Sequence, residues 1–227
     1  DDILWFTNAR SIVQPTMDLL GQEFKLTFHD DPTVFRGIEI ARERTPTSDS
    51  ITLHQRGYLS TLSGKFNIDI DAKNRPKIPG QPWKDLDFRP DDLDPTADQV
   101  TRYQQIQGSL QWASLCSPQC AFVINQCARF MRKPHHRHHV LQENLLRYMI
   151  LHRNDGITYH RNGLPEQLTK GYLFDDIEGY ADAAHADVIN FNSVSTTGYF
   201  FKTKTGILMW ASQKQNNVTN STCESEV

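Results

Sequence analysis

No apolar run in this sequence approaches the ~20 consecutive residues that a membrane-spanning helix requires. The opening residues carry no signal-peptide pattern either. Cysteine is scarce, with four among 227 residues. Cys116, Cys120, Cys127 and Cys223 are too few and too clustered for a disulfide framework, which points to a reducing, intracellular compartment such as cytoplasm or nucleus. Proline and glycine, at 11 and 12 residues, are not enriched, which excludes a low-complexity tail. Charge of one sign is also lacking. A formal net charge of -3 gives no global pull toward nucleic acid or membrane, so any basic patch must be local. Asn217-Val218-Thr219 and Asn220-Ser221-Thr222 match the glycosylation pattern and are taken as chance matches in a chain without signs of secretion.

What is present is length for one large domain or two small ones, and a hydrophobic fraction of 38% that is compatible with folded cores. The run "ILWFT" predicts a short buried strand. Ser11 is placed to cap a following helix, with Pro15 in its first turn and Met17, Leu19, Leu20 and Phe24 forming its apolar stripe. "TVFRGIEIARER" and "SITLHQ" predict two strands, and "QRGYLSTLSGKF" has helical spacing at Tyr58, Leu59, Leu62 and Phe66. From Asn67 to Asp98 prolines sit among Asp and Lys with little periodicity, the texture of an extended linker or a wandering surface segment. Helical patterning returns in "TRYQQIQGSLQWASL", "QCAFVINQCARFM" and "HHVLQENLLRYMILH". In the last of these Leu141, Leu145 and Met149 lie one turn apart. After Gly156 the texture becomes β in "GITYH", "GYADA", "TTGYFFKT" and "GILMWAS".

Cys116, Cys120 and Cys127 precede a histidine-rich run, His135, His136, His138 and His139, which raises a zinc site as one reading. Their spacing is not a standard one. Cys120, Val123, Ile124 and Cys127 instead follow a helical face, so buried free thiols are the better reading. His138 shares a face with Leu141 and Leu145 and is expected in or near the core.

Several segments together carry a family likeness. The Asp1-Asp2 pair entering an apolar run resembles the second half of the reverse-transcriptase motif aromatic-x-Asp-Asp. "FRGIEIAR" followed by "ITLHQRGYLSTLSGKF" resembles the copia-type retrotransposon polymerase, whose usual form is Phe-Leu-Gly-Ile-Glu-Ile. "YQQIQGSLQWAS" and "ARFMRKPHHRHHVLQENLLRY" are similar to its following segments. "GYADAAHAD", "STTGYFF", "LMWASQKQ" and "STCESEV" resemble, in order, its ribonuclease H blocks. The likeness is colinear over the whole chain. It implies part of a Pol polyprotein, from the polymerase active-site strand to the first catalytic helix of the ribonuclease H.

The resemblance implies sites residue by residue. Asp1 and Asp2 match polymerase carboxylates that hold Mg2+ or Mn2+, the two-metal arrangement that activates a primer hydroxyl and holds a triphosphate. Asp182 and Glu226 match two of the four ribonuclease H metal-binding acids. Glu224 is expected to be structural, and Asp187 to be a loop carboxylate on or just past the strand of Asp182. "VFRGIEI" matches the primer grip, a hairpin that sets the primer end. There Gly37 permits close backbone approach or marks a bulge, and Arg36 replaces an aliphatic residue of the family pattern. Other departures are Cys116 to Cys120 in place of Thr-Arg-Pro-Asp-Ile, Ala184-His185 in place of Asp-Trp, and Val227 in place of tyrosine.

From Arg129 to Arg161 seven basic residues, among them Arg129, Arg132, Lys133 and Arg137, face only Glu143 and Asp155 in sequence, a local balance of +5, with six histidines interspersed. That stretch is expected to bind template–primer or an RNA–DNA hybrid through phosphates, more tightly as its histidines protonate.

The expected fold is α+β. Residues 1–54 form the rear of a reverse-transcriptase palm. Residues 55–155 form a helical thumb and connection, including the linker at 67–98. Residues 156–227 begin a ribonuclease H-like sheet with an open edge and no covering helices. The expected function is that of a polyprotein fragment, inactive alone, whose partners are nucleic acid and the remaining parts of the polyprotein. The alternative from another class is a domesticated nucleic-acid-binding protein without catalysis.

Overall fold

In the hairpin at the front of the fold, Val34–Phe35 (β1) and Ile38–Arg44 (β2) are joined by two residues, Arg36 and Gly37. Both have positive φ, 48° and 78°. Such a pair is the turn whose twist matches that of paired strands. The single strand expected over "TVFRGIEIARER" is therefore split in two, and Gly37 is a turn residue rather than a bulge. The computed structural model to which these strands belong describes residues 3–4, 10–27, 29–46, 49–71, 75–80, 86–160, 177–188 and 194–215.

Helix α1 (Arg10–Glu23) precedes the hairpin. Ser11 lies inside its first turn rather than at a cap, and Pro15 is its sixth residue rather than a first-turn one. None of its residues is buried, and Leu19 and Phe24 are both 62% exposed, so the expected stripe has no core to face. The backbone of α1 is carried by local pairs: Arg10 donates to Gln14 Oε1 (3.2 Å) and Gln14 to Asp18 (2.7 Å), each one turn on. Most of "ILWFT" lies outside the described residues.

β2 pairs with β3 (Asp49–His54), and β3 pairs in turn with β4 (Ile157–His160). The result is a four-stranded antiparallel sheet in the order β1-β2-β3-β4. Sequence grouped Ile157–His160 with the terminal strands; its ladder partner is β3, more than a hundred residues earlier. The pairing is reinforced by a hydroxyl contact of 2.9 Å between Thr52 and Thr158.

Between β3 and β4 the chain builds its main core from α2 (Arg56–Phe66), α3 (Ala97–Ala113), α4 (Ala121–Ala128) and α5 (His136–Leu151). Leu62, Ile106, Leu110, Phe130, Leu141, Leu145 and Leu146 are fully buried there. Asn67 ends α2 in the left-handed conformation, a role that asparagine tolerates. α3 starts at Ala97, earlier than its apolar pattern indicates, because Thr96 and Gln99 form a reciprocal capping box. The core also contains polar side chains. Gln142 donates to the Tyr103 carbonyl and to Gln107 Oε1, both at 3.1 Å, and Gln107 donates to the Ile124 carbonyl at 2.9 Å.

The segment expected to be a loose linker is anchored to this core. Ile68 and Leu86 are buried in it, and the Phe88 ring packs edge-on against Phe130 at 5.9 Å.

The second sheet is three-stranded and antiparallel in the order β5-β6-β7, formed by Glu178–Val188, Val194–Lys202 and Ile207–Lys214. Sequence expected no helix over it, yet α4 lies against β7. The sheets meet at β4, where the His160 N–H donates to the Thr205 carbonyl (2.9 Å) and the Tyr159 hydroxyl to the Ile207 carbonyl (2.8 Å). The chain is thus an α+β protein with two antiparallel sheets.

Candidate nucleic-acid interface

Two turn residues and the end of a helix build one surface. The Arg36–Gly37 turn projects both residues to solvent. Behind it stands Trp112, in the last turn of α3. A Cβ on Gly37 would lie 3.6 Å from Trp112 Cζ2 and 4.0 Å from its Nε1, so the indole rests against the turn. Trp112 is 40% exposed because the buried stripe of α3 runs through Tyr103, Ile106, Leu110 and Ala113, and position 112 falls outside it. Its carbonyl is held by Gln55 Nε2 at 3.0 Å. One turn earlier, Gly108 is exposed, and a Cβ there would meet nothing within 4 Å. A bare glycine inside a helix costs about 1 kcal/mol relative to alanine. Sequence reading singled out Arg36 and Gly37 but missed Trp112; its position off the apolar stripe was the available signal.

Glu39, on β2, ties this hairpin to α2. Its carboxylate accepts the Gly57 N–H at 2.5 Å and lies 3.7 Å from His54 Nδ1 and 3.8 Å from Arg56.

The basic residues of 129–137 are placed differently from expectation. Arg137 forms a two-pronged pair with the Asp92 carboxylate and also donates to the Asp87 carbonyl. The Arg137 guanidinium holds the Asp92 carboxyl well below the usual range. Lys133 lies 2.5 Å from Asp94 and lowers that carboxyl too. Arg129 donates to the Thr196 hydroxyl on β6, while Arg132 is exposed. The acids that oppose Lys133 and Arg137 come from the segment before α3, outside the window in which charges were counted. For Lys133 and Arg137 the local excess of positive charge is thus offset by acids that the sequence window did not include.

The histidines also depart from expectation. His138 is fully buried and stacks on Phe130 with ring centres 3.7 Å apart. Its Nδ1 accepts the His135 N–H (2.9 Å), which leaves Nε2–H to donate to the Leu86 carbonyl (2.6 Å) and fixes the neutral tautomer. Burial pushes its pKa down to about 4. Burial lowers that of His139 as well, beside the Tyr103 ring. These two side chains add no charge near neutrality, contrary to the expectation for the run as a whole.

Cys116, Cys120 and Cys127 are buried free thiols, pushed by burial up to about 11, 12 and 12. Cys120 and Cys127 sit in the helical core, as their spacing indicates.

Asp182 lies exposed on β5 opposite Gly198 of β6, and Asp187 lies on the same strand rather than in a loop. Asp1, Asp2, Glu224, Glu226 and Cys223 are outside the described residues. Among the described residues no three His, Cys, Asp or Glu side chains converge, so that part of the chain does not by itself supply a divalent-metal cage.

A mixed α+β chain with a tight hairpin seated on a helical core, followed by an antiparallel sheet that bears Asp182 and Glu178 exposed on its first strand, is the class that these elements define. Over its whole length the chain is a homologue of copia-type retrovirus-related Pol polyproteins. It is 32% identical over 228 residues to the retrovirus-related Pol polyprotein from transposon RE1 of Arabidopsis thaliana, 28% over 226 residues to that from transposon RE2 of the same plant, and 25% over 228 residues to that from transposon TNT 1-94 of Nicotiana tabacum. In each case all of this chain is covered, but it spans only 14%, 14% and 16% of those relatives' lengths. No protein-family model matches the chain, and no solved structure matches it.

Proposed function

We propose that this chain is the duplex-holding part of a copia-type Pol polyprotein. In this reading the β1–β2 hairpin is the primer grip at the rear of the palm. The helical core is the thumb and connection, and β5 to β7 open the ribonuclease H sheet. The observation that carries the reading is the seating of the Arg36–Gly37 turn against the exposed Trp112 indole. A guanidinium reaches phosphate, an indole face stacks on a base or sugar, and the bare backbone at Gly108 admits close approach. These three features are contiguous and solvent-facing, and none of them is required by the core.

Its chemistry is positioning. Asp1 and Asp2, and separately Asp182 and Glu226, would each contribute part of a two-metal site for Mg2+ or Mn2+. Other regions of the polyprotein would complete both sites. Assayed alone with either metal, the chain is expected to show no primer extension and no hybrid cleavage.

Fluorescence anisotropy with an RNA–DNA hybrid tests the holding role. Binding should be independent of sequence and fall steeply between low and moderate salt. Trp112→Ala should weaken it several-fold. Absence of binding at low salt sinks the proposal. So does primer extension abolished by Asp1→Asn with Asp2→Asn, or hybrid cleavage abolished by Asp182→Asn.

A further inference from the structure

Helix α2 opens without the local cap that its first turn needs. Position 55, where a short polar side chain would ordinarily hold an N–H of that turn, carries Gln55, and its side chain makes no cap bond. The acceptor comes from another strand. Glu39 on β2 lies opposite His54, the last residue of β3, and its carboxylate takes the Gly57 N–H at 2.5 Å. A carboxylate is also favoured there by the positive end of the helix dipole. Gly57 keeps the approach open, since a Cβ would lie 3.0 Å from Glu39 Oε1.

The Gln55 side chain is used elsewhere. It is 1% exposed, and its Nε2 donates to the Trp112 carbonyl at 3.0 Å. Its Oε1 is buried with no hydrogen-bond partner among the described residues. A buried unpaired oxygen costs stability, and a methionine of similar length would avoid it. What methionine would lose is the hold on Trp112. The start of α2 therefore grips both halves of the surface described above. One grip is on Glu39, two residues past Gly37; the other is on the residue whose indole rests against that turn. The grip has a fixed base, because Leu59 and Leu62 of the same helix are buried in the core.

We propose that the start of α2 is the joint that sets the Arg36–Gly37 turn against the Trp112 indole, with Glu39 and Gln55 as positioning residues of the nucleic-acid interface. The proposal rests on the duplex-holding function above. Neither residue needs to touch the duplex. Each acts on a neighbour that does, and holding turn and indole in register before binding spares the complex the cost of ordering them.

Hybrid affinity by anisotropy, melting temperature, and NMR of the Gly37 amide and the Trp112 indole N–H test this together, the indole signal being identified by its loss in Trp112→Ala. Glu39→Ala and Gln55→Met should each weaken hybrid binding several-fold and shift both resonances in the free protein. Glu39→Gln keeps an acceptor oxygen for the Gly57 N–H and should restore affinity and both resonances. Gln55→Met should melt no lower than the unaltered chain, so its loss of binding is not a loss of fold. In a Trp112→Ala background Gln55→Met should cost no further affinity, because the group it positions is gone. If the unaltered chain binds hybrid and Glu39→Ala and Gln55→Met bind it equally well, the proposal fails and the duplex-holding function stands. The proposal fails in the same way if Gln55→Met costs as much without Trp112 as with it, or if neither resonance moves. If the unaltered chain binds no hybrid at low salt, the duplex-holding function fails and the positioning role falls with it.

Discussion

Arg36 holds a backbone conformation that costs a residue with a β-carbon on the order of 1 kcal/mol, and it does so at a turn tip with no core to gain. Arg36→Asn should therefore stabilise the fold by about 0.5–1 kcal/mol, since asparagine tolerates the left-handed region. Gly37→Ala should cost about 1 kcal/mol or more, and the cause is backbone rather than collision, because the new methyl would meet Trp112 at ordinary contact distance. Urea denaturation of the two variants checks both signs. His138 gives a pH dependence at the same scale. Below pH 6.5 the unfolded chain takes up a proton that the folded chain refuses until about pH 4. Stability therefore falls with acid across that window and levels off beneath it. The shift corresponds to a loss of roughly 3 kcal/mol. His138→Gln, which keeps an N–H for the Leu86 carbonyl, should flatten that part of the profile.

At the scale of the element, the proline-bearing segment before α3 behaves as a strap. Leu86 and Phe88 insert into the core, Arg89 and Asp92 close a turn through the bond from the Arg89 N–H to the Asp92 carboxylate (2.7 Å), and Arg137 grips Asp92 from α5. Low periodicity made it read as a linker, because its anchors are single residues spaced by loop rather than a repeating face. Arg137→Met should loosen the strap while retaining most of the apolar stem. Amide exchange over residues 86–95 should rise by an order of magnitude or more, with little change in α3 and α5. Equal exchange in both proteins would show that Leu86 and Phe88 suffice as anchors.

For the molecule as a whole, β4 joins the two sheets. It completes the first through Thr52 and Thr158 and carries the second through Tyr159 and His160. Tyr159→Phe removes one half-buried hydrogen bond to Ile207 and should cost about 1 kcal/mol. Its effect should appear as earlier exchange in β6 and β7, with β2 and β3 unaffected.

The residues by themselves determined a good deal. Helical spacing located α2, α4 and α5 to within a few residues, and period-two and apolar runs located most strands, because these signals are local. Colinear motifs identified the copia-type polyprotein, and helical phase placed Cys120, Cys127 and His138 inside. Tertiary structure decided the rest. Whether Lys133 and Arg137 present net charge depends on Asp92 and Asp94, some forty residues away in sequence and adjacent only after the strap folds back. The partner of β4 depends on which sheet edge is within reach once four helices have packed. The surface joining Arg36, Gly37 and Trp112 exists because β-sheet register and the phase of α3 bring a hairpin tip and an indole together, and pairwise distance of that kind is absent from any local pattern.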